Sequence, residues 1–570
     1  MPVHNADIAD VFAEIADILE VQGANPFRIR AYRNATRLLT GIGEEMSDYV
    51  KSGQDLTALP GIGKDLAAKI MEILDTGTCT ALEKLRKEAP SGLSDLLHIP
   101  GLGPKRVHAL YQELDIHTPE QLLRAARDGR IQQLPGFGQK TETGIITAIE
   151  SHLKQKQRIK LSVAAQYAEP LVAYLKKVAG VNEVVVAGSY RRCKETVGDL
   201  DILISAKDNQ AVIQAFVEYE EVAKVLSKGT TRSTVILRNG LQVDLRVVDK
   251  ASYGAALYYF TGSKAHNIAV RRRAQQLGLK INEYGVFKGN KQIAGKTEQS
   301  VFKAVALPWI APELRENNGE IEAADKNKLP HLVELSDLKG DLHTHTRATD
   351  GHHSLKEMAL AARDFGLSYL AITEHSKRLT VAHGLDERRL ARQIEEIDKL
   401  NDQLEGITLL KGIEVDILET GELDLPDSIL AKLDLVIGAI HSQFHLSRAK
   451  QTERILRAMD HQYFTILAHP TGRLLETRDA YDVDMNRIIK QAKQCDCYLE
   501  LNAQPERLDL LDVHCQMAKA HGVLVSVNSD AHRISDFNNL KYGVGQARRG
   551  WLEKADILNT RSLAALRKLI

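Results

Sequence analysis

Between residue 341 and the end of the chain, His, Asp and Glu recur directly after short apolar runs: Asp341-Leu-His343-Thr-His345, Asp350, Glu374-His375, Glu414, His441, His469 and Asp530-Ala-His532. A βα barrel gathers side chains at the ends of successive strands into one mouth, so the pattern predicts a multinuclear metal site. Imidazole and carboxylate ligands suit Zn, Mn or Fe. A water on such an ion loses a proton near neutral pH and becomes a nucleophile, which makes hydrolysis the expected chemistry. A lone buried histidine is more often a hydrogen-bonded core residue than a ligand. Here 13 of the 20 histidines fall in residues 341–570, and the series keeps one relation to the apolar runs throughout, which favours ligation. His352, His353 and His383 lie off the strand ends and are read as loop residues.

A second constellation lies upstream. Asp199 and Asp201 stand two apart in GDLDILISA, and Asp244 sits in the similar run GLQVDLRVV. Residues two apart on a strand face the same way, and pairing nearby could bring Asp244 beside them. Three converging carboxylates repel one another unless divalent cations lie between them. Two such cations can clamp the attacking and leaving oxygens of a phosphoryl transfer. A single strand Asp is usually just solvated, but Gly188-Ser189 shortly before GDLD is a far less common combination than either part.

The elements that must position these groups can be read in outline. YLAIT, LLKGI, LDLVIGAI, FTILA, CYLELN and VLVSVNS are apolar runs of strand length separated by helix-length segments. With the strand entering Asp341 they give seven βα units. Between 160 and 310 the pattern is one of short β runs, EVVVAGSYRR leading into GDLDILISA and then GLQVDLRVV. In the first 150 residues one motif occurs three times: LPGIGKDLAAKI at 59–70, IPGLGPKRVHAL at 99–110 and LPGFGQKTETGI at 134–145. Each places a Gly-x-Gly turn (Gly61 and Gly63, Gly101 and Gly103, Gly136 and Gly138) before a helix. The first-turn N–H groups of such a helix can hold a phosphate oxygen.

At 570 residues the chain is too long for one core, and two to four domains are expected. The net charge of zero hides an asymmetry: residues 1–312 hold 41 Lys and Arg against 34 Asp and Glu, and the remainder reverses those numbers. A basic front half suits a polyanionic partner. Cys79, Cys193, Cys495, Cys497 and Cys515 form no CxxC pair, which argues against a disulfide framework or a Cys-based zinc finger. No run approaches a membrane span, and the N-terminus lacks the pattern of a signal peptide. A cytoplasmic location is expected.

HTH, TEH, GIEV, AIHS, AHP and SDAH, in this order over about 336–570, resemble the polymerase and histidinol phosphatase (PHP) domain, a distorted seven-stranded βα barrel. The resemblance implies one metal held by His343, His345, Glu414 and Asp530, a second by Glu414, His441 and His469, and a third by Asp350, His375 and His532. Glu374, where relatives often carry Asp, is expected to orient a ligand. The three Gly-x-Gly motifs resemble the helix-hairpin-helix DNA-backbone clamp. Gly188-Ser189, Asp199-x-Asp201 and Asp244 resemble the nucleotidyltransferase palm, and YYFTGSKAHNIAVRRRA at 258–274 narrows this to the family X DNA polymerases. RAYRNATRLL at 30–39 and INEYGVF at 281–287 extend that match over about 1–312. It implies that Ser189 and Arg192 contact a triphosphate, that Tyr259, Phe260 and Gly262 line the sugar pocket, that Asn267 reaches the base, and that Arg271 touches the template side. Asp244 would activate the primer 3′-OH. Three positions depart from the family: Gln242 stands where animal members carry Arg, Asp65 where a phosphate-binding lysine is found, and Arg158 only loosely matches a triphosphate-side arginine and is not counted as a site residue. Lys69 matches the family's Schiff-base lysine, but with Asp65 nearby it is read as a DNA-phosphate contact.

The expected fold class is multidomain α+β, with a helical helix-hairpin-helix N-terminal region, a nucleotidyltransferase palm and thumb, and the C-terminal barrel. The expected segments are 1–90 (lyase-like, DNA-binding), 91–155 (fingers), 156–257 (palm), 258–312 (thumb), 313–335 (a polar linker ending near Pro330) and 336–570 (barrel). The expected activity is gap-filling DNA synthesis in repair, with a metal-dependent 3′ to 5′ exonuclease, 3′-phosphatase or abasic-site endonuclease at the barrel; the alternatives are a DNA-binding module with an inactive palm, or a barrel acting as a small-phosphoester phosphatase. Mg or Mn is expected as two ions in the palm, and Mn or Zn as up to three ions in the barrel. Gapped or nicked DNA and dNTPs are the expected partners of a monomer.

Overall fold

The computed structural model describes residues 5–41, 46–88, 96, 99, 102, 104–134, 137–138, 142, 144–146, 158–475 and 478–570. Two compact units divide the chain at residue 158.

The first unit is helical. The helix Asn5–Val21 sets Ile8, Phe12, Ile15 and Leu19 on one face, the three-to-four-residue spacing that one helical stripe requires. That stripe packs on Tyr32, Ala35 and Leu39 of the helix Pro26–Gly41, with Phe12 and Tyr32 meeting edge to face at 5.4 Å. Leu66, Ile70 and Ile73 of the helix Lys64–Thr76 continue the same core. The core therefore fixes where the first Gly-x-Gly turn can stand.

The second unit opens with a five-stranded sheet in the spatial order Val181–Val186, Asp199–Ala206, Gln242–Val248, Arg232–Leu237, Val222–Lys228. The central pair, 199–206 with 242–248, is parallel, and the other pairs are antiparallel. Alternation decides the faces: Leu200, Ile202, Ile204, Val243, Leu245 and Val247 are buried in the sheet's core, which turns Asp199, Asp201 and Asp244 to the other side.

A thumb follows. The helices Tyr253–Thr261, Lys264–Gln276 and Glu298–Ala304 close around Tyr258, Val270 and Phe302. The segment expected to be a polar linker behaves differently in its first part. Residues Pro312–Leu314 and Glu320–Asp325 form helical turns, and Leu314 and Ala324 join the thumb core. Arg315 and Glu320 are fully buried. Arg315 pairs with Glu298 at 2.6 Å, and Glu320 pairs with His266 at 2.6 Å. A polar composition without apolar period marks an interdomain connection, but here the charges are buried in matched pairs.

The barrel has seven parallel strands in sequence order: Gly340–Asp341, Tyr369–Ile372, Thr408–Asp416, Leu435–Ala439, Ile466–Leu467, Tyr498–Asn502 and Val525–Asn528. All lie among buried apolar side chains, as strands covered on both faces must. The gap between first and last strands is bridged by side chains: Leu342 N donates to Asn528 Oδ1 at 3.3 Å, and Ser529 N donates to Asp341 Oδ1 at 3.2 Å. A parallel bridge between Thr344 and Ala531 continues the closure.

The thumb's charged core gives a pH prediction. Glu298 accepts two bonds from Arg191, at 2.8 and 2.7 Å, and one from Arg315. Burial alone would raise its pKa, but the two guanidinium groups outweigh that and hold it at about 2, against an ordinary 4.5. The stabilisation is therefore complete above pH 4.5 and is lost as pH falls toward 2. Glu298→Gln should destabilise the thumb by about 3 kcal/mol at neutral pH. In thermal unfolding, the difference between wild type and variant should shrink as pH is lowered from 5 to 3.

Candidate functional site

The palm carboxylates come together through strand register. Asp201 is directly opposite Asp244 and Asp199 is opposite Gln242 across the parallel pair, so the three expected acids share one face. Asp244 is steadied on both oxygens: Thr234 Oγ1 donates to Oδ1 at 2.6 Å and Gln242 Nε2 to Oδ2 at 2.7 Å. Gln242 thus supplies a neutral amide where a guanidinium would add positive charge. Asp201 is pushed up to about 7, by burial first and then by the charges of Asp199 and Asp244, with Arg246 and Arg192 opposing. Asp199, Asp201 and Asp244 are therefore a candidate donor set for divalent ions, in which the charges of its two neighbours disfavour ionisation of Asp201.

Gly188 makes the turn beside them possible. Its φ is +60°, and a Cβ there would lie 2.3 Å from Asp201 Oδ2. Ser189 follows in the short helix Gly188–Arg191, and Ala187 N donates to Asp201 O at 2.7 Å, which pins the turn to the acidic strand. Arg192 is mostly covered and held in place: its Nε donates to Glu316 Oε1 at 3.0 Å and its Nη1 to the Thr261 carbonyl, next to Gly262. Tyr259 and Phe260 sit edge to face at 5.1 Å, with Arg271 over the first ring and Arg246 over the second. Asn267 donates to Tyr259 O at 2.7 Å, while its own Oδ1 is buried without a partner among the described residues. The expected nucleotide-side residues are therefore neighbours.

In the barrel, ligand atoms converge in three sets: His345, Asp350, His375 and His532; His343, His345 and Asp530; and His375, Glu414 and His441. The first holds the expected trio of Asp350, His375 and His532 with His345 added. The second holds three of an expected four, with Glu414 Oε2 at 3.6 and 3.7 Å from the Nε2 atoms of His343 and His345. In the third, His375 stands where His469 was expected, and His469 Nε2 lies 3.1 Å from Glu414 Oε1. Glu414 is thus the hub. The Nε2 atoms of His343 and His345 are buried without a hydrogen-bond partner among the described residues, an arrangement that costs free energy unless a cation completes it. Burial, followed by the charges of His532 and His375, lowers His345 to about 3, leaving a neutral imidazole. Burial opposes ionisation of Glu414 and Asp530, yet the surrounding imidazoles hold both well below the ordinary carboxylate range. The facing carboxylates raise His343, His375, His441 and His532 against the opposing effect of burial, whereas His345 and His469 are lowered; the convergence of these nitrogens with ionised oxygens fits a metal cluster. Asp530 and His469 also sit at φ values of +51° and +27°, backbone strain of the kind found at functional sites.

The orienting residues differ from expectation. Glu374 reaches no ligand histidine. It is fully buried and accepts from Thr346 N and Gln393 Nε2, each at 3.0 Å, and from the hydroxyls of Thr346 and Thr349. It shapes the loop that carries Asp350. Two neighbouring carboxylates were missed: Glu500 Oε1 lies 2.7 Å from His343 Nδ1, and Asp416 Oδ1 accepts from the His441 backbone N at 3.2 Å and lies 3.3 Å from its Nδ1. Asn502 donates to both Glu500 and Asp530, at 3.2 and 3.0 Å. Their signal was present: Asp416 is two residues beyond Glu414 and so shares its face, and Glu500 is a charge inside the apolar run CYLELN. His352, His353 and His383 join none of the three sets.

In the first unit, Gly61 has φ +82° and Gly63 caps the helix Lys64–Thr76 with no side-chain bond, so the helix start is left to its own N–H groups. Lys69 Nζ pairs with Asp65 Oδ1 at 2.5 Å. Burial works to lower its pKa, but Asp65 and Tyr32 outweigh this and raise it, the wrong direction for an amine nucleophile. Gly101, Gly103 and Gly136 lie outside the described residues. Gly138 is described, and Glu142 N donates to its carbonyl at 3.0 Å.

The comparisons agree with this division of labour. Profiles described as Helix-hairpin-helix domain and SAM-like Helix-hairpin-helix tandem match residues 3–79 and 93–151. DNA polymerase beta palm and DNA polymerase beta thumb match 143–266 and 256–316. PHP domain matches 341–504, a span that ends before Asp530 and His532. The DNA polymerase/3′-5′ exonuclease PolX of Bacillus subtilis (strain 168) is 39% identical over 98% of this chain and 98% of its own length. DNA polymerase lambda of Arabidopsis thaliana is 27% identical over 55% of this chain and 62% of its own. A probable phosphatase of Thermoanaerobacter sp. (strain X514) is 29% identical over 39% of this chain and 89% of its own. With similarity of that extent and all its parts in the same order, the chain belongs to the bacterial family X DNA polymerases that carry a C-terminal PHP domain.

Proposed function

We propose that the chain fills short gaps in DNA with dNTPs at the palm and removes nucleotides from 3′ ends in the 3′ to 5′ direction at the barrel. The observation that carries this reading is the in-register pairing of Asp201 with Asp244 on the same chain as the Glu414-centred cluster. The name of the Bacillus subtilis relative supports both halves.

At the palm, Asp199, Asp201 and Asp244 would hold two Mg or Mn ions. Bound there, the ions offset charge on the attacking and leaving oxygens. Asp244, with Thr234 and Gln242 fixing its oxygens, is placed to receive the proton of a primer 3′-hydroxyl. Ser189 and Arg192 take the triphosphate, Tyr259, Phe260 and Gly262 the sugar, Asn267 the base edge, and Arg271 the template strand. At the barrel, His343, His345, Asp350, His375, Glu414, His441, His469, Asp530 and His532 would hold Mn or Zn, which imidazole-rich sites suit better than Mg. Glu500 and Asp416 keep His343 and His441 aimed. The Gly-x-Gly turns bind DNA phosphates without reading sequence, and Lys69 is a phosphate contact. We assign the partners as gapped or nicked DNA and dNTPs, the state as monomeric and the compartment as cytoplasmic. No described helix is long and apolar enough to cross a membrane. We keep the expected domain boundaries, but extend the thumb to residue 325.

A labelled primer on a one-nucleotide gap, with Mg or Mn and with or without dNTPs, tests the whole reading. Asp201→Ala should abolish extension and leave trimming intact, whereas His343→Ala with His345→Ala should do the reverse. Loss of both activities in folded His variants would overturn the two-site account. Gly188→Ala should cut extension at least 100-fold with trimming preserved, because its Cβ would be forced onto Asp201 at about the cost of removing one transition-state contact. On an abasic substrate, borohydride should trap no Lys69-dependent adduct. A trapped adduct that disappears in Lys69→Ala would restore the lyase reading.

A further inference from the structure

The turn that follows Gly188-Ser189 is gripped by the barrel at both ends. At its start, Arg549 of the barrel helix Leu540–Arg549 donates through Nη1 to the Arg192 carbonyl and to Glu316 Oε1, each at 3.1 Å. Glu316 Oε1 is the same atom that Arg192 Nε holds at 3.0 Å. At its end, Glu195 receives Arg473 through both carboxylate oxygens, at 2.7 and 3.1 Å, and Gln546 Nε2 at 2.7 Å. Between them Cys193 takes φ +51° against Gly545, whose added Cβ would meet the Cys193 Sγ at 3.2 Å. The turn is therefore held in a left-handed conformation by contacts from a different domain, and strain of this kind persists only where the surroundings over-determine it.

We propose that the barrel is a working part of the polymerase's nucleotide site, with Arg549 and Gln546 as positioning residues for Arg192. This rests on the reading of Arg192 as a triphosphate contact. The electrostatic logic is specific. Glu316 is shared by Arg192 and Arg549, with Lys194 Nζ at 3.9 Å. Arg549 is itself anchored by Asp512 at 2.5 Å and is almost fully buried. While Arg549 takes part of the Glu316 charge and ties down the Arg192 carbonyl, the Arg192 guanidinium stands in place without being fully neutralised. Without the Arg549 fork, Glu316 is left to Arg192 and the more distant Lys194, and the carbonyl loses its donor. Both changes oppose contact with an incoming triphosphate. Lysine at 549 would keep the charge but cannot serve the carbonyl and two carboxylates in one plane. At the far end, Gln546 keeps Glu195 in place, and a methionine there would keep the volume while removing the donor.

The test uses the full chain on a one-nucleotide gap, with steady-state dNTP kinetics and 3′-end trimming measured on the same preparations. Arg549→Lys and Gln546→Met should each raise the KM for dNTP, by about tenfold for Arg549→Lys, the order of one charge-assisted hydrogen bond. The kcat for extension should stay within about twofold and trimming should be unchanged. A control, Arg192→Ala, should raise the dNTP KM at least as much. If Arg192→Ala raises the KM while Arg549→Lys and Gln546→Met do not, the positioning role falls and the nucleotide reading stands. If Arg192→Ala leaves the KM unchanged, both fall. A parallel loss of extension kcat and trimming in the barrel variants, with KM unmoved, would mark general damage and would also overturn the proposal.

Discussion

Crowding of like charge away from water sets the terms for both reactive centres. Carboxylates brought together out of water raise one another's affinity for protons unless positive charge is supplied. The two centres answer that demand differently. In the palm, the guanidinium groups of Arg246 and Arg192 oppose the crowding without overcoming it, and Asp201 shows the deficit. In the barrel, a ring of imidazoles surrounds Glu414 and Asp530, so the carboxylates are already ionised while some rings remain neutral. The first centre is short of positive charge and the second is already equipped with soft donors. The folds follow from this: a sheet can present acids on one face by alternation, whereas gathering nine ligands requires strand ends drawn from around a barrel.

Sequence patterning exposed what depends on periodicity. Strand alternation placed Asp199 and Asp201 on one face, and the apolar runs located the strands whose ends carry His375, Glu414, His441, His469 and Asp530. It could not supply register, and the opposition of Asp201 to Asp244 is a property of pairing alone. Nor could it show which polar residues are buried. Arg315 and Glu320 lie in a stretch expected to be a polar linker and, paired with Glu298 and His266, prove to be part of the thumb's interior, because matched pairs bury as a unit what would be prohibitive singly. Glu374 is expected to orient a ligand because a metal-bound imidazole needs an oriented partner. In space its oxygens are spent on Thr346, Thr349 and Gln393, and the orienting task falls to Glu500, more than a hundred residues away.

Fastening residues 192–195 to the barrel makes palm and hydrolytic mouth parts of one frame. A primer terminus moving from one to the other would have to travel between two sites held in one compact unit. Departure from the palm then depends on how easily the terminal base pair unstacks, and that step is cheapest for a mismatched pair. Under such an arrangement, discrimination against errors would arise as a race between the next addition and escape. A kinetic sieve of this kind needs no pocket in either domain to recognise the wrong base.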